Sequence, residues 1–106
     1  DQVLMQLGPF LKDFFRNSDR IFRIGGEEFL ILVSNTDETK CIEIAERLRG
    51  EIENLSLIPD RMVTVSIGVA GLDPKQDWKQ WMKTSDKNLY EAKNSGRNRV
   101  VAWSVI

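Results

Sequence analysis

Hydrophobic positions near the start of the chain recur at steps of three and four residues, and this spacing predicts an amphipathic helix. The apolar stripe runs from Val3 to Phe15, so we expect the helix to end near Arg16. Gly8 and Pro9 interrupt the stripe. A proline inside a helix loses one backbone hydrogen bond and crowds the preceding turn. We therefore expect either a kink at Pro9 or a new helix that starts with Pro9 in its first turn.

Two short apolar runs follow, at residues 21–24 and 29–33, and they flank a Gly-Gly-Glu-Glu segment at 25–28. Paired glycines favour a tight turn because glycine accepts positive φ at no steric cost. The pattern therefore predicts a β-hairpin whose tip carries two carboxylates. Ionised carboxylates suit Mg²⁺, which usually brings substrate phosphates with it, so the tip is a candidate site for nucleotide chemistry. Acids on Gly-Gly hairpins are also common, so this segment alone leaves an ordinary surface turn open.

The rest of the chain predicts further helices and strands in alternation. Capping residues at 35–38, followed by an apolar stripe that ends at Leu55, predict a second helix. Alternation over 63–70 predicts a strand, the stripe over 78–92 a third helix, and 99–103 a short final strand. This order predicts an α+β sandwich of the ferredoxin-like type, with a mainly antiparallel sheet flanked by helices. Since such a sandwich begins with a strand, we expect the fold to be incomplete at its N-terminus.

Composition narrows the function classes. The chain has 106 residues, 42% apolar and 29% charged, with a net charge of −1, which indicates one globular domain and argues against a surface for duplex nucleic acid. No apolar stretch approaches membrane-spanning length, and the start of the chain lacks the pattern of a signal peptide. We therefore expect a cytoplasmic domain that makes no membrane contact of its own.

Histidine is absent from the sequence and Cys41 is its single cysteine. These counts exclude Ser-His catalysis, imidazole metal ligands and a disulfide within the chain. Carboxylate, Lys, Tyr or Cys side chains remain as a general base, and carboxylates remain as metal ligands. Cys41 lies on the apolar stripe of the second predicted helix, so we interpret it as buried core.

Three segments resemble the GGDEF family, the diguanylate cyclases: Gly25-Gly26-Glu27-Glu28-Phe29, Val65 to Ala70, and Leu89 to Val100. The resemblance covers essentially the whole chain and implies a sandwich of the nucleotidyl-cyclase type. Family members condense two GTP molecules into cyclic di-GMP and release pyrophosphate. The resemblance therefore implies GTP as substrate, two Mg²⁺ or Mn²⁺ ions per active site, and catalysis by a homodimer of domains that each hold one GTP.

The resemblance implies roles for the hairpin tip. Glu27 matches the family's metal ligand and candidate base for the ribose 3′-hydroxyl, a pairing that is chemically coherent because a metal-bound carboxylate can accept the proton of a metal-bound hydroxyl. Glu28 is expected to support the metal shell. Gly25 and Gly26 are expected to let the nucleotide approach the backbone closely.

The resemblance also implies substrate contacts away from the tip. Lys93 and Arg97 match the family's phosphate contacts, and they can converge on one anion if the turn at Gly96 folds back. Asp1 matches the carboxylate that the family directs at guanine. Without the motif, the favoured interpretation of Lys93 and Arg97 is solvated residues at a helix C-terminus, and Asp1 could equally be a simple helix-cap acid.

A further match is the family's inhibitory product site. Arg16 and Asp19 stand where the family grips cyclic di-GMP, with Arg presenting its planar fork to phosphate and guanine. Arg47 falls where some members place a second arginine that reaches product from a neighbouring domain. The alternative for Arg16 and Asp19 is an exposed ion pair of little energetic value.

The family's first strand and first helix, which carry its first metal-binding Asp, precede Asp1 in register and are absent from this sequence. A two-metal mechanism needs both carboxylate arms, so we expect residues 1–106 to be a single partial GGDEF domain that is inactive by itself, with the activity belonging to the parent protein. One alternative is a non-catalytic module that binds GTP or cyclic di-GMP or serves only in dimerisation. Another is an unrelated cyclase or polymerase palm, which would not explain the motif at 93–99.

Overall fold

The computed structural model describes residues 2–23, 28–55, 63–71, 75 and 77–102, and at residues 2–4 it describes the backbone alone. Helices and strands follow the order that the sequence predicts, and their bounds are α1 Gln2–Phe14, β1 Arg20–Arg23, β2 Phe29–Leu32, α2 Glu38–Asn54, β3 Ile67–Val69, α3 Trp78–Asn94 and β4 Val100–Ala102. Within these described ranges, no helix combines the length and apolar character needed to cross a membrane.

Helix α1 continues through Pro9 as one element, so the expectation of a second helix starting there is wrong, while the kink stays a prediction. Pro9 lacks the N–H that would bond the carbonyl of Met5, four residues earlier. Both residues are exposed, Met5 to 75%, so this carbonyl lies on the face of the helix that water can reach. Solvation of that carbonyl reduces the cost of keeping proline inside the helix.

The strands form two pairs. β1 and β2 are antiparallel, with Arg20 opposite Leu32, and this pairing confirms the two strands of the predicted hairpin. β3 and β4 are parallel and are joined by α3, with Ile67 opposite Val100. The strand predicted over 63–70 is shorter in the structure, because its partner β4 spans three residues and the ladder has no counterpart for residues 63–66.

The core lies where α1 and α2 face each other and the strands. Its buried side chains include Leu7 and Leu11 from α1 and Leu48 and Ile52 from α2, with Val63 completing the cluster. Full burial of such a side chain contributes about 1.5–3 kcal/mol relative to exposure. These residues belong to the apolar stripes of the sequence, so the two helical periodicities correctly predict which helix faces are buried.

Helix α3 packs closely on β3, and the contact lies in the middle of the helix, at residues 85–89. Gly68 makes the approach possible, because a Cβ at this position would lie 2.5 Å from the carbonyl oxygen of Ser85. Asn88 is fully buried and its Nδ2 donates to the carbonyl oxygen of Val69 at 2.7 Å. The bond joins the helix to the strand at a second point, so α3 has a defined position on β3.

Candidate functional site

Part of the predicted active site lies in the described residues. Glu28, Lys93 and Arg97 have defined positions, and their surroundings are given below. Four predicted residues lie outside the described residues, and their roles stay predictions: Asp1, Gly25, Gly26 and Glu27.

Glu28 and Lys93 meet across the fold. Glu28 immediately precedes β2, Lys93 lies in the last turn of α3, and Glu28 Oε1 is 3.5 Å from Lys93 Nζ. The two side chains are 44% and 38% exposed, respectively, so the pair itself contributes at most about 1 kcal/mol to stability. Its importance is positional, because it places a cation beside Glu28, and the role of Lys93 as a phosphate contact stays a prediction.

Both side chains also line a groove of about 220 Å³ between the two strand pairs. Apolar residues of β2, β3 and the helices form most of its wall, and the charged residues in it are Glu28, Asp86 and Lys93. The groove is therefore largely apolar, with a few charged and hydroxyl side chains in its wall.

The turn after α3 has an unusual backbone. Gly96, Arg97 and Asn98 have φ angles of 133°, 60° and 46°, so three consecutive residues lie at positive φ. The left-handed region costs about 1 kcal/mol or more for a residue with a side chain, although Asn tolerates it better than most. The N–H of Arg97 donates to the carbonyl oxygen of Ala92 at 2.9 Å, which turns the chain back over the helix end. The predicted turn at Gly96 is present, and convergence of Lys93 and Arg97 on one anion stays a prediction.

Side chains from α2 hold this turn. Asn98 Oδ1 accepts a hydrogen bond from a guanidinium nitrogen of Arg49 at 2.9 Å, and Asn98 Nδ2 donates to Glu53. Arg49 also donates to Glu46 and lies 3.5 Å from Glu53. The hydrogen bond to Glu46 raises the pKa of Arg49 further above its ordinary value, so the guanidinium stays charged.

Sequence reasoning missed this network. The spacing of Glu46, Arg49 and Glu53 on one helix face was a visible signal of an ion-pair row. The spacing did not indicate that Asn98, which is 49 residues from Arg49, completes the row.

Arg16 and Asp19 lie together, as their spacing predicts. The guanidinium of Arg16 is 3.3 Å from Asp19 Oδ1, and the backbone N–H groups of Arg16 and Ser34 each donate to the Asp19 carboxylate at 3.0 Å. The Asp19 side chain is only 2% exposed, so the interpretation of an exposed ion pair is wrong for this residue. Burial alone would raise the pKa of Asp19, but the hydrogen bonds from Ser34 and Arg16 outweigh it and hold the pKa below its ordinary value of 3.8.

Arg16 is anchored beyond Asp19. Its guanidinium donates to the carbonyl oxygen of Ser34 at 2.5 Å and to Thr36 Oγ1 at 3.2 Å, while 55% of the side chain is exposed. These contacts tie the residues after α1 to the loop between β2 and α2. Arg16 therefore presents a planar donor group that is fixed on one side and open to solvent on the other.

Arg47 makes contacts separate from those of the Arg16–Asp19 pair. Its guanidinium carbon lies 4.6 Å from the centre of the Phe14 ring, and its Nε lies 3.5 Å from a carboxylate oxygen of Glu51. The side chain is 64% exposed. Arg47 thus stacks on the end of α1 and presents a solvent-facing cation, and its predicted role in product binding stays a prediction.

The described part of the chain contains no cluster of three or more side chains that could hold a metal ion. No three carboxylate or thiol side chains there converge on a possible metal site, and Glu27 lies outside that part.

Cys41 is partly buried rather than fully buried. Burial, with a smaller contribution from Glu38 and Asp19, raises the pKa of its thiol. Cys41 is therefore protonated at neutral pH, which makes it a poor general base.

Comparison with known proteins settles the family. The sequence profile described as "Diguanylate cyclase, GGDEF domain" matches residues 1–99. This chain belongs to the GGDEF family. The GGDEF chain is 38% identical over 104 residues to Diguanylate cyclase A from Treponema denticola, and the match covers 94% of this chain and 28% of that relative. The chain thus spans about a quarter of the length of the first curated relatives that it matches.

Solved structures agree with this assignment and with the predicted fold class. The active GGEEF domain of a diguanylate cyclase from Vibrio cholerae superposes with a TM-score of 0.90 at 28% identity, over 100% of this chain and 69% of that one. The coiled coil and GGDEF domain of DgcB from Caulobacter crescentus, in complex with c-di-GMP, gives a TM-score of 0.88 at 25% identity, over 96% of this chain and 56% of that one. The α+β fold of a GGDEF cyclase domain, expected from the sequence, is confirmed.

Proposed function

We propose that residues 1–106 form a partial GGDEF domain that acts as a diguanylate cyclase within the full-length polypeptide, converting two GTP into cyclic di-GMP and two pyrophosphates. The observation that carries this proposal is the match of the whole chain to the active GGEEF domain from Vibrio cholerae. This chain has the same five residues, GGEEF, at positions 25–29. The contact between Glu28 and Lys93 supports the proposal, because it joins two motifs that are 65 residues apart.

The donor chemistry of the hairpin tip fits Mg²⁺ or Mn²⁺. The Glu28 side chain is 44% exposed and offers carboxylate oxygens, and Glu27 adjoins it in the sequence, so these two residues would hold the cation. We propose two such cations per active site in the complete domain. When bound, they offset negative charge on the phosphate oxygens and lower the pKa of the attacking hydroxyl.

Glu27 would act as the general base. Its carboxylate accepts the proton of the 3′-hydroxyl of one GTP while that oxygen forms a bond to the α-phosphorus of the other GTP. The bond between this phosphorus and the bridging oxygen of pyrophosphate breaks, and the electron pair leaves with pyrophosphate. The same exchange in the opposite direction closes the ring. General base catalysis contributes about 10²–10⁴-fold to such a step.

The remaining residues bind and orient GTP. Lys93 and Arg97 would contact the phosphates, and the contact of Lys93 with Glu28 keeps its ammonium group near the hairpin tip. Asp1 would accept hydrogen bonds from the N1 and N2 donors of guanine, and the two glycines at 25–26 would let the nucleotide lie against the backbone.

Assembly and regulation complete the proposal. Each domain holds one GTP, so catalysis requires a homodimer. Cyclic di-GMP would inhibit by binding Arg16 and Asp19, with Arg47 reaching the product from a neighbouring domain. The fixed guanidinium of Arg16 supports this role, and DgcB was solved with c-di-GMP bound. GTP is a cytosolic nucleotide, so we place the domain in the cytoplasm.

The experiment measures cyclic di-GMP formed by the full-length polypeptide from GTP and Mg²⁺. We expect the formation of cyclic di-GMP to require the divalent cation. We also expect its rate to fall as the concentration of added cyclic di-GMP is raised. A folded protein that binds GTP or cyclic di-GMP without turnover would contradict the proposal and favour a receptor, and binding of neither would favour a dimerisation module.

A further inference from the structure

The turn that carries Arg97 is held in a costly conformation by few contacts of its own. Gly96, Arg97 and Asn98 all have positive φ, and Arg97 is exposed. Its N–H bonds Ala92, and its carbonyl oxygen accepts from Arg99 Nε at 3.1 Å. These bonds come from residues within five positions along the chain, so they tie the turn to the end of α3 and do not connect it to α2.

One long-range contact lies beside the turn, where the N–H of Ile67 donates to the carbonyl oxygen of Arg99 at 2.9 Å. The long-range contact of the turn itself is made by Asn98. It reaches α2 through two side-chain hydrogen bonds, one accepted from Arg49 and one donated to Glu53, across 49 and 45 residues of sequence. The amide is suited to both bonds at once, because it offers one acceptor and one donor on a short side chain that tolerates the left-handed region. An aspartate in its place would keep the acceptor for Arg49 but would turn a second acceptor towards Glu53.

The receiving side of the anchor is itself fixed. Arg49 is 19% exposed and is held on α2 by Glu46, three residues earlier, and by Glu53, four residues later. Both carboxylates therefore orient the guanidinium independently of Asn98. A charge-assisted bond to a group fixed in this way is stronger and more directional than a bond to a free surface arginine.

We propose that Asn98, together with Arg49 and Glu53, is the positioning element that holds Arg97 in place to bind the phosphates of GTP. The inference depends on the proposed function, since it takes the phosphate role of Arg97 from it. Asn98 acts through Arg97 and does not itself touch substrate. Loss of the bonds from Asn98 to α2 loosens the turn, so it weakens a contact made in the ground state and raises KM more than it lowers kcat.

The test exchanges donor and acceptor between the two partners. Asn98→Asp leaves two acceptors facing each other, whereas Asn98→Asp combined with Glu53→Gln restores one donor and one acceptor and keeps the net charge. The control is Asn94→Asp, which adds the same charge at an exposed position in the last turn of α3. All variants are made in the full-length polypeptide, and KM for GTP, kcat and the midpoint of thermal unfolding are measured for each.

For Asn98→Asp we expect KM to rise about tenfold, the equivalent of ~1.4 kcal/mol, with kcat within about threefold of the unsubstituted protein. The combined variant should return KM to within about threefold of the starting value, and Asn94→Asp should leave it unchanged. Equal KM values for Asn98→Asp and Asn94→Asp would overturn the inference. So would a lower unfolding midpoint and less active protein at unchanged KM, which is the pattern of a purely structural residue.

A second measurement separates this inference from the proposed function. If the unsubstituted polypeptide made no cyclic di-GMP, the proposed function would fail, and the same four proteins would then be compared by calorimetry with GTP. The inference expects the dissociation constant to follow the pattern given for KM. Equal GTP affinity in all four proteins would overturn it.

Discussion

Replacing Gly68 with alanine should push α3 away from β3. A Cβ at Gly68 would overlap the backbone nitrogen of Leu89 and would lie 2.5 Å from the carbonyl oxygen of Ser85 and 2.8 Å from the carbonyl carbon of Asn88. All three are backbone atoms of one helix, so no side-chain rotation can relieve the overlap. An ordinary contact begins near 3.4 Å, so the helix must retreat by about 1 Å.

The energetic cost follows from that displacement. Overpacking a core contact costs typically about 1–3 kcal/mol, and rigid neighbours favour the upper part of this range. The shift would also stretch the 2.7 Å bond from Asn88 to Val69 and would weaken a net contribution of about 1 kcal/mol. We expect the free energy of unfolding to fall by about 2–3 kcal/mol, which lowers the unfolding midpoint of a domain of this size by about 10 °C or more.

Urea unfolding followed by tryptophan fluorescence measures this change, since Trp78 and Trp81 lie on the helix that moves. The matched control is Gly50→Ala on α2, where a Cβ meets no atom within 4 Å. Alanine is the better helix former by about 0.5–1 kcal/mol, so this control should stabilise the domain. If Gly68→Ala unfolded within about 0.5 kcal/mol of the unsubstituted protein, the close packing of α3 on β3 would be refuted.

Two further predictions concern the pair of Arg16 and Asp19. The carboxyl of Asp19 has a lower pKa in the folded state, so its ionised form stabilises the fold above the unfolded pKa and this stabilisation is lost as the pH falls below 3.8. Asp19→Asn should therefore cost about 1–3 kcal/mol at pH 7, and the gap to the unsubstituted protein should narrow in unfolding measured at pH 3; a constant gap would contradict the assignment. Arg16→Ala should relieve inhibition by added cyclic di-GMP and leave the initial rate of product formation intact, and unchanged inhibition would show that the product site lies elsewhere.

The sequence predicts the helices well because each has a strong local signal. The apolar stripe around Leu48 and Ile52 marks the buried face of α2, and Asp37 caps it by accepting from the N–H of Lys40 at 2.8 Å. The strand at 63–70 was predicted too long because alternation shows which residues can form a strand, whereas the partner determines how many do. That partner, β4, is 33 positions away in the register and has three residues.

In the candidate site too, the sequence predicts some of the contacts and misses others. The motifs identify Glu28 and Lys93 because their order along the chain is characteristic of a family, and the structure brings the two side chains together. The anchoring of Arg16 by Ser34 and of Asn98 by Arg49 was missed. Both contacts join residues that are 18 or more positions apart, and the sequence around each side chain does not indicate its partner.

The central claim is that the hairpin tip at 25–29 is catalytic, and one comparison tests it most directly. Cyclic di-GMP formation from GTP and Mg²⁺ is measured for the full-length polypeptide, for Glu27→Gln, and for Glu43→Gln as a control for the same change on the exposed face of α2. The account predicts that Glu27→Gln lowers the rate by about 10²-fold or more, with the fold intact, and that Glu43→Gln changes it little. A Glu27→Gln variant that forms product at the rate of the control would contradict the account.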